Sequence, residues 1–398
     1  MSDIQIGFGW SDNEVLSKAL DEAVASATAS LNGQAQAAYI TATVEHDAES
    51  VLAGFRQRLP GVALHGATTS LGLLTCEGVK NSGQGVVAVM LFASDNDGDF
   101  HSAASTDSDG RKAGRQVAET LRKAGKGSDP ILILVNATPG DEESILEGIA
   151  EVLPDVPCQG GSAADHAIAG QWSLFTDAGC ADVGVSCLGI YGKIKVGTSM
   201  VSPYACAGPQ GTVTATGNDR NLARIDGKPA AEVLGEWLDG SIAPMIAEGG
   251  NVLAQTALRP IAIRKEKRDG SEYLLTVHPA HVHADQGSVD VFARVRVGDI
   301  VCSMRGEENG LVEALPELVE RALEQGGLSM DEVRGATLIF CAGCAAAVGT
   351  RIEDALRKLQ ESFRDVPLMG LCTFGEQGFV PELGSTHQDL SLSITLFA

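Results

Sequence analysis

The chain has 398 residues, 44% of them hydrophobic and 20% charged, and a formal net charge of −23. This composition is typical of a soluble globular protein, and the length exceeds what one hydrophobic core usually fills, so we expect two domains. The negative charge disfavours nucleic acid and anionic membranes as partners, because like charges repel. No uninterrupted apolar run approaches the roughly 18 residues of a membrane span, and the first five residues lack the basic start of a secretory signal.

Three stretches of the chain share one predicted order: helix, apolar strand, helix, a segment running from Pro to Gly, and a last strand. In the first stretch, helices are predicted at about 14–31 and 48–59, and strands at 37–44 and 86–92. In the second, helices are predicted at 111–123 and 141–153, and strands at 131–135 and 184–191. In the third, helices are predicted at 311–323 and 352–363, and strands at 337–341 and 390–397. Repeated units that cannot bury their apolar faces alone pack on one another.

The stretch between about 200 and 306 is less regular. It contains predicted strands at 252–263, 273–277 and 289–301 and a predicted helix at 230–238, which we interpret as a fourth, eroded unit. The segment 203–218 is rich in Pro, Gly and Thr and predicts a boundary, which gives domains 1–212 and 213–398. Helices that alternate with strands predict an α/β or mixed α+β fold with mixed sheets, in which strands of one unit pair in parallel.

The Pro-to-Gly segments read LPGVALHGATTS (59–70), VPCQGGSAAD (156–165) and VPLMGLCTFGE (366–376). None contains a phosphate-binding G-x-x-x-x-G-K-[ST] motif. Each lies beside a strand end, where α/β proteins place ligand loops, and glycine allows a ligand close to the backbone. The candidate ligand-binding residues are His65, Thr68, Thr69, Gly160, Gly161, Asp165, Cys341, Thr373, Gly375 and Glu376. The alternative is that these glycines only shape turns between packed elements.

Nine cysteines at scattered spacings do not predict a disulfide framework and indicate a reducing cytoplasm. Cys341 and Cys344 form a C-x-x-C between a strand and a helix, where the helix N-terminus can lower the pKa of the first thiol. This pattern permits thiol redox chemistry. The alternative is that both cysteines are packing residues, since no second C-x-x-C is present to complete a zinc site.

The densest histidine cluster is the segment HPAHVH at 278–283. His281 and His283 share one face of a strand, and imidazole is a good ligand for a metal or for haem iron. The alternative is a solvated strand end. His65 and His166 lie near the repeated segments and are candidates for a pocket.

Three groups of motifs resemble the FIST family. The stretch from Thr337 through VPLMGLCTFGEQG to LSLSITLF is similar to the end of the FIST C domain. GTVTATGN (211–218) with IDGKPAAEVL (225–234) resembles the central junction of the family, and GGSAAD (160–165) resembles FIST N. The resemblance extends from about residue 30 to the end. The first copy departs from the pattern because it lacks the Gly-Glu pair, and Cys344 stands where Arg is common, which puts an anion-binding role there in doubt.

The resemblance implies a sensory protein that binds a small ligand, amino acids having been proposed, and that signals to kinases, methyl-accepting proteins or cyclic-nucleotide enzymes. One branch of the family binds haem, senses nitric oxide and regulates a histidine kinase. Because FIST-like sequence fills the chain, we expect a stand-alone cytoplasmic sensor that acts in trans and is not an enzyme. The alternatives are a haem-based sensor with His281 or His283 as axial ligand, and a thiol redox protein that uses Cys341 and Cys344.

Overall fold

The computed structural model of the chain describes residues 4–363 and 366–398. The first unit comprises β1 (Gln5–Ser11), α1 (Leu16–Ser30), β2 (Ala37–Ala42), α2 (Ala48–Arg58), β3 (Ala63–Thr68), β4 (Ser70–Thr75), β5 (Gly78–Lys80) and β6 (Val87–Ala93). Helix α2 begins after Asp47, whose carboxylate accepts a hydrogen bond from the backbone of Ser50 at 2.9 Å. Every residue of β2 and β6 is buried, because helices cover one face of this sheet and the other units cover the opposite face.

The second unit repeats this order in β7 (Phe100–Ser105), α3 (Gly110–Ala124), β8 (Leu132–Ala137), α4 (Glu142–Val152), β9 (Cys158–Ser162), β10 (Leu174–Thr176), β11 (Cys180–Ala181) and β12 (Val185–Ile190). Helix α3 begins after Asp109, which caps the backbone of Lys112. Its buried face includes Ala113, Val117 and Leu121, at the three-to-four-residue spacing of an amphipathic helix.

The third unit is interrupted. It begins with β13 (Val196–Val201), and residues 204–306 then form an inserted domain. That domain contains β14 (Tyr204–Asn218), β15 (Asn221–Ile225), β16 (Lys228–Pro229), α5 (Ala230–Trp237), α6 (Ala243–Glu248), β17 (Gly250–Asn251), α7 (Leu253–Thr256), β18 (Ile261–Glu266), β19 (Glu272–Val277), β20 (Pro279–His283), β21 (Ser288–Val291) and β22 (Ile300–Gly306). The third unit then continues with α8 (Glu308–Gly326), β23 (Gly335–Cys341), α9 (Ala342–Val348), α10 (Ile352–Phe363), β24 (Leu368–Thr373), β25 (Glu376–Val380), β26 (Gly384–Gln388) and β27 (Leu392–Phe397).

The sheets of the three units have one common strand order. They run β1-β6-β2-β3-β10-β11, β7-β12-β8-β9-β25-β26 and β13-β27-β23-β24-β4-β5. In each sheet the third and fourth strands are parallel and come from one unit. The last two strands are a hairpin from another unit: the second unit completes the first sheet, the third completes the second, and the first completes the third. The mixed α/β fold built from repeated units is therefore confirmed, and the units are joined by a cyclic exchange of hairpins.

Other features differ from the sequence-based expectation. The exchanged hairpins and the first strand of each unit were not predicted. The segment 203–218, expected to be a linker, is mostly the strand β14, which accommodates Pro209 in an irregular part of its pairing with β22. The inserted domain forms a nine-stranded sheet of different order and does not repeat the unit, and the stretch 252–263 is divided into α7 and β18. The boundary between residues 212 and 213 falls inside β14 and stays a prediction.

The repeated Gly segments are themselves strands, namely β3, β9 and β24, and they lie inside the sheets rather than in loops. Close approach of the neighbouring parallel strand explains Gly66 and Gly160, whereas Gly370 in β24 faces Leu74 of the exchanged strand β4. A Cβ on Gly66 would lie 1.8 Å from the carbonyl oxygen of Ile40, and one on Gly160 would lie 1.7 Å from that of Val135. The repeated glycines therefore mark a true structural feature, and at Gly66 and Gly160 this feature is the close packing of two backbones.

Gly160→Ala is expected to lower the free energy of unfolding by about 1–3 kcal/mol, because β8 and β9 must move apart to admit the methyl group. The midpoint of urea unfolding measures this loss. Gly310→Ala in α8 is the matched control, since its Cβ would meet an atom only at 3.8 Å, and it should be neutral or slightly stabilising. Equal midpoints for the two variants would contradict the packing argument.

Candidate functional site

A cavity of about 800 Å³ lies where the three units meet the inserted domain. Each unit contributes the residues that follow its repeated strand: Leu71 after β3, His166 after β9 and Phe374 after β24 all line the cavity. The inserted domain contributes α7 and the residues around it. The cyclic arrangement of the units therefore brings equivalent corners to one place.

Much of the wall is apolar. Leu253, Ala257 and Leu258 lie on one side, and Ala342 and Ala346 of α9 also line the cavity. The rings of Trp172 and Phe374 are nearly perpendicular with centroids 6.1 Å apart. Such a wall favours a ligand with an apolar body.

Two wall residues have a strained backbone. Leu71 has φ 59° and Ile168 has φ 55°, and both side chains are substantially exposed. A left-handed conformation is unfavourable for a branched side chain, especially for the β-branched Ile168, and residues of this kind are concentrated at functional sites. Asp165 stabilises the loop that carries Ile168 by accepting hydrogen bonds from the backbone of Ala167, Ala169 and Gln171.

The polar end of the cavity is a buried network that joins the second unit, the third unit and the inserted domain. The amide nitrogen of Gln377 donates to Ser162 Oγ and to His387 Nδ1, each at 3.0 Å. Ser162 donates in turn to Glu142 Oε1 at 2.7 Å. Arg220 of the inserted domain donates to Glu142 Oε2 at 2.6 Å and to Glu143 at 2.5 Å. Nη2 of Arg220 is therefore shared by two carboxylates, while Nη1 donates to the backbone carbonyl of Phe292.

The charge state of Glu142 depends on these partners. Burial alone would raise the pKa of Glu142, but the charges of Arg220 and His387 and the hydrogen bond from Ser162 together hold it below its usual value. Burial likewise works against the charge of Arg220, and the two glutamates outweigh it. The result is a buried ion pair that stays ionised and ties the inserted domain to α4.

Asp389 is the other acid in the wall. Its Oδ2 accepts a hydrogen bond from the backbone of His278 at 2.9 Å, while its Oδ1 lies 3.7 Å from His387 Nε2 and has no hydrogen-bond partner. Burial raises the pKa of Asp389 to about 6, and His387, the His278 backbone and Arg220 limit the rise. Burial also lowers the pKa of His278 to about 4, so this imidazole is neutral at pH 7.

Of the residues predicted from the sequence, His166, Cys341 and Thr373 line the cavity. Thr373 donates to Glu376 Oε1 at 3.0 Å, and Glu376 Oε2 accepts from the backbone and hydroxyl of Ser391. Burial raises the pKa of Glu376 well above its usual value. The ligand-binding role of these residues stays a prediction.

The remaining predicted residues do not line the cavity. The hydroxyl of Thr68 accepts a hydrogen bond from the backbone N–H of Ser173. The hydroxyl of Thr69 accepts one from the backbone N–H of Cys372 and donates one to the carbonyl oxygen of Gly72. His65 is fully buried against Ser186 Oγ at 2.9 Å, and burial lowers its pKa to about 3. Gly160 and Gly161 lie in β9, and Gly375 precedes β25 at φ 140° with the His387 ring beside it.

Sequence reasoning missed Arg220, Glu142, Gln377, His387 and Asp389. One available signal was the polar run THQD at 386–389, which precedes an apolar strand and is mostly buried in the fold. Arg220 carried no signal, because it lies in a short turn between β14 and β15 and reaches the site only through the placement of the inserted domain.

The structure disfavours the two other groups of candidate residues. Cys341 and Cys344 are buried, and the hydrogen bond between them together with burial raises the pKa of the Cys341 thiol, which is the opposite of activation. His281 is exposed, His283 Nε2 contacts Asp290 at 2.7 Å, and neither lines the cavity. The role of His281 or His283 as an axial haem ligand stays a prediction.

One acidic group has the spacing of a metal site. Ligand atoms of Glu142, Glu143 and His387 all lie within 4.8 Å of one another. The guanidinium group of Arg220 already contacts both carboxylates, so the geometry is that of an ion pair rather than of a cation site. Within residues 4–363 and 366–398, no helix has both the length and the apolar character needed to cross a membrane.

Three repeated α/β units and an inserted β-rich domain that enclose a cavity define an α/β protein with a site suited to a small molecule. Two family models match the chain: the FIST N domain matches residues 36–228 and the FIST C domain matches residues 230–379. The chain belongs to the FIST family, whose domains are sensory, and this supports a role in signalling or ligand binding.

No curated protein matches the sequence. One solved structure, described as "Cyanuric acid hydrolase: evolutionary innovation by structural concatenation", is similar with a TM-score of 0.32 and 9% identity over 99% of this chain and 99% of that chain. A likeness this weak carries no argument about activity.

Arg220→Met should lower the free energy of unfolding by about 3 kcal/mol at pH 7, because Glu142 is left buried without its partner. In the wild type, the pKa of Glu142 is depressed in the folded state, so its contribution is present above the unfolded value and is lost as pH falls through the folded value. In the variant, burial raises that pKa, and the loss should shrink towards pH 4–5. Urea unfolding at both pH values measures this, and a second change, Glu142→Gln, should restore part of the stability. A loss independent of pH would contradict the ion-pair account.

Asp389→Asn tests the second acid. Because the folded pKa of Asp389 is raised to about 6, ionisation costs stability as pH rises from the unfolded value through about 6. The variant should therefore gain about 2–3 kcal/mol relative to the wild type between pH 4 and pH 7. Denaturant unfolding across this range measures the gain, and the exposed Asp285→Asn is the control that should show none.

Proposed function

We propose that this chain is a FIST sensor that binds a small, largely apolar ligand in the 800 Å³ cavity and signals in trans to a partner protein such as a histidine kinase. The observation that carries the proposal is the position of the cavity, since its wall is shared by all three units and the inserted domain. A ligand that contacts both parts stabilises one relative placement of them over others, and this is how binding becomes a signal.

The wall also restricts the chemistry of the ligand. Arg220 is neutralised by Glu142 and Glu143, and Asp389 adds a further acid. The whole chain carries a formal charge of −23. An anionic ligand is therefore disfavoured, and a neutral or cationic molecule with an apolar body fits better.

The rival proposals have less support. Neither His281 nor His283 lines the cavity, and the pKa of the Cys341 thiol is raised by Cys344 and by burial, so the cavity supports neither alternative. A cytoplasmic location, which the reduced cysteines favour, and the identity of the partner remain part of the proposal. The signalling part of the proposal predicts a kinase whose autophosphorylation changes when the liganded protein is added and does not change when the ligand-free protein is added.

Thermal-shift screening against amino acids, amines and neutral metabolites tests binding, since a ligand at 100 times its Kd stabilises by about 2.7 kcal/mol. We expect Ala346→Trp to abolish the shift, because Ala346 is an exposed residue of α9 in the cavity wall, and the indole would fill the space. Ala247→Trp, at an exposed position of α6 outside the wall, is the matched control and should retain the shift. Absence of a shift with every class in folded wild-type protein would refute the proposal.

A further inference from the structure

A second chemically distinctive site lies outside the cavity, on the two strands that connect the inserted domain to the third unit. All nine cysteines belong to the described ranges, and Cys206 on β14 is the only exposed one among them. Cys302 on the neighbouring strand β22 is buried. The site is independent of the proposed ligand.

An irregularity in the strand pairing brings the two sulfurs together. β14 and β22 are antiparallel, with Cys206 opposite Met304 and Gln210 opposite Cys302, and the register shifts between these two pairs. Between these two pairs β14 has three residues and β22 has one, so β14 forms a bulge. Cys206 and Cys302 flank this bulge on the two neighbouring strands, and each thiol belongs to the electrostatic surroundings of the other.

The surroundings stabilise a thiolate at Cys206. Arg264 Nη2 donates to the Cys206 sulfur at 3.7 Å, and the neighbouring backbone of Gly208 and side chain of Cys302 also favour the charged form, while the Cys302 thiol itself donates to Met304 Sδ at 3.8 Å. These contacts lower the pKa of Cys206, whereas burial raises the pKa of Cys302 to about 11. An exposed thiolate next to a protonated thiol is the arrangement of a reactive cysteine with its resolving partner.

We propose that Cys206 and Cys302 form a hydroperoxide-reactive thiol pair, in which Cys206 is oxidised and Cys302 resolves it to a disulfide. The Cys206 thiolate attacks the terminal oxygen of the hydroperoxide, the O–O bond breaks, and the leaving alkoxide or hydroxide takes up a proton. Cys302 then attacks the sulfenic sulfur of Cys206, the S–O bond breaks, and hydroxide leaves with the proton of Cys302 as water. Two thiols and one hydroperoxide give a disulfide, an alcohol or water, and a second water, so the sulfurs lose two electrons and the peroxide gains them.

The other cysteines provide the contrast. Cys76 and Cys180 are half-buried, and burial raises their pKa to about 11 and about 12. Cys158, Cys187, Cys341 and Cys372 are buried, with a raised pKa in each case. Oxidation should therefore be selective for Cys206.

A disulfide here would act on the connection between the two parts of the molecule. Tyr204, at the start of β14, donates to the backbone of Ala257 at 2.8 Å, and Ala257 lines the cavity. Linking β14 to β22 fixes the strand from which Tyr204 extends. The redox state of the pair is thus placed to alter the cavity wall.

Treatment of the full-length protein with equimolar hydrogen peroxide in the presence of dimedone, followed by peptide mass mapping, tests the proposal. In the wild type we expect a 206–302 disulfide as the first product, with a loss of two hydrogens. In Cys302→Ser the sulfenic acid has no resolving thiol, so Cys206 should carry a dimedone adduct. In Cys206→Ser neither product should form, and the rate of thiol loss should fall at least about tenfold.

The variant Arg264→Met tests whether the reactivity of Cys206 depends on the guanidinium group or on solvent exposure alone. Removal of the guanidinium group should slow the formation of the disulfide several-fold and shift its dependence to higher pH, while Cys206 stays exposed. Because the replaced cysteine is at the surface, Cys206→Ser should fold, which circular dichroism checks. Earlier oxidation of another cysteine in the wild type, or an unmodified Cys206 in Cys302→Ser, would overturn the proposal.

Discussion

The structure depends on the exchange of β-hairpins among three related units. Each unit provides four strands of its own sheet and leaves the edge of β3, β9 or β24 unpaired until a hairpin from another unit arrives. Open edges with buried side chains are unstable alone, so the three units stabilise one another. The same exchange fixes where the corners after the repeated strands meet, and the cavity follows from it.

The inserted domain depends on a different interaction. Its turn at Arg220 contacts two acids on α4, and Asp389 forms hydrogen bonds with the backbones of Thr276 in β19 and of His278, which lies between β19 and β20. Buried charges of this kind add little net stability over an apolar contact, but they tolerate only one placement of the partners. The polar network thus determines the geometry of the cavity more than it contributes to the free energy of unfolding.

The sequence predicted much of the fold and only part of the site. Helices and central strands carried strong periodicity, and the three Pro-to-Gly segments marked the true repeat. The hairpins β4–β5, β10–β11 and β25–β26 were missed, because they are short and pair with strands far along the chain. Thr373 and Cys341 were found since they lie next to the repeat, whereas Arg220 and Asp389 reach the cavity by tertiary placement, which no local pattern encodes.

Hairpin exchange also imposes an order on biosynthesis. Strand β4 pairs with β24, and Leu73 is opposite Leu371, although about three quarters of the chain length separates them in sequence. While the ribosome is still producing the third unit, the first hairpin has no partner and its apolar side chains are exposed to solvent. Contacts between such distant parts of a chain form slowly, and nascent intermediates with open edges are natural clients of chaperones.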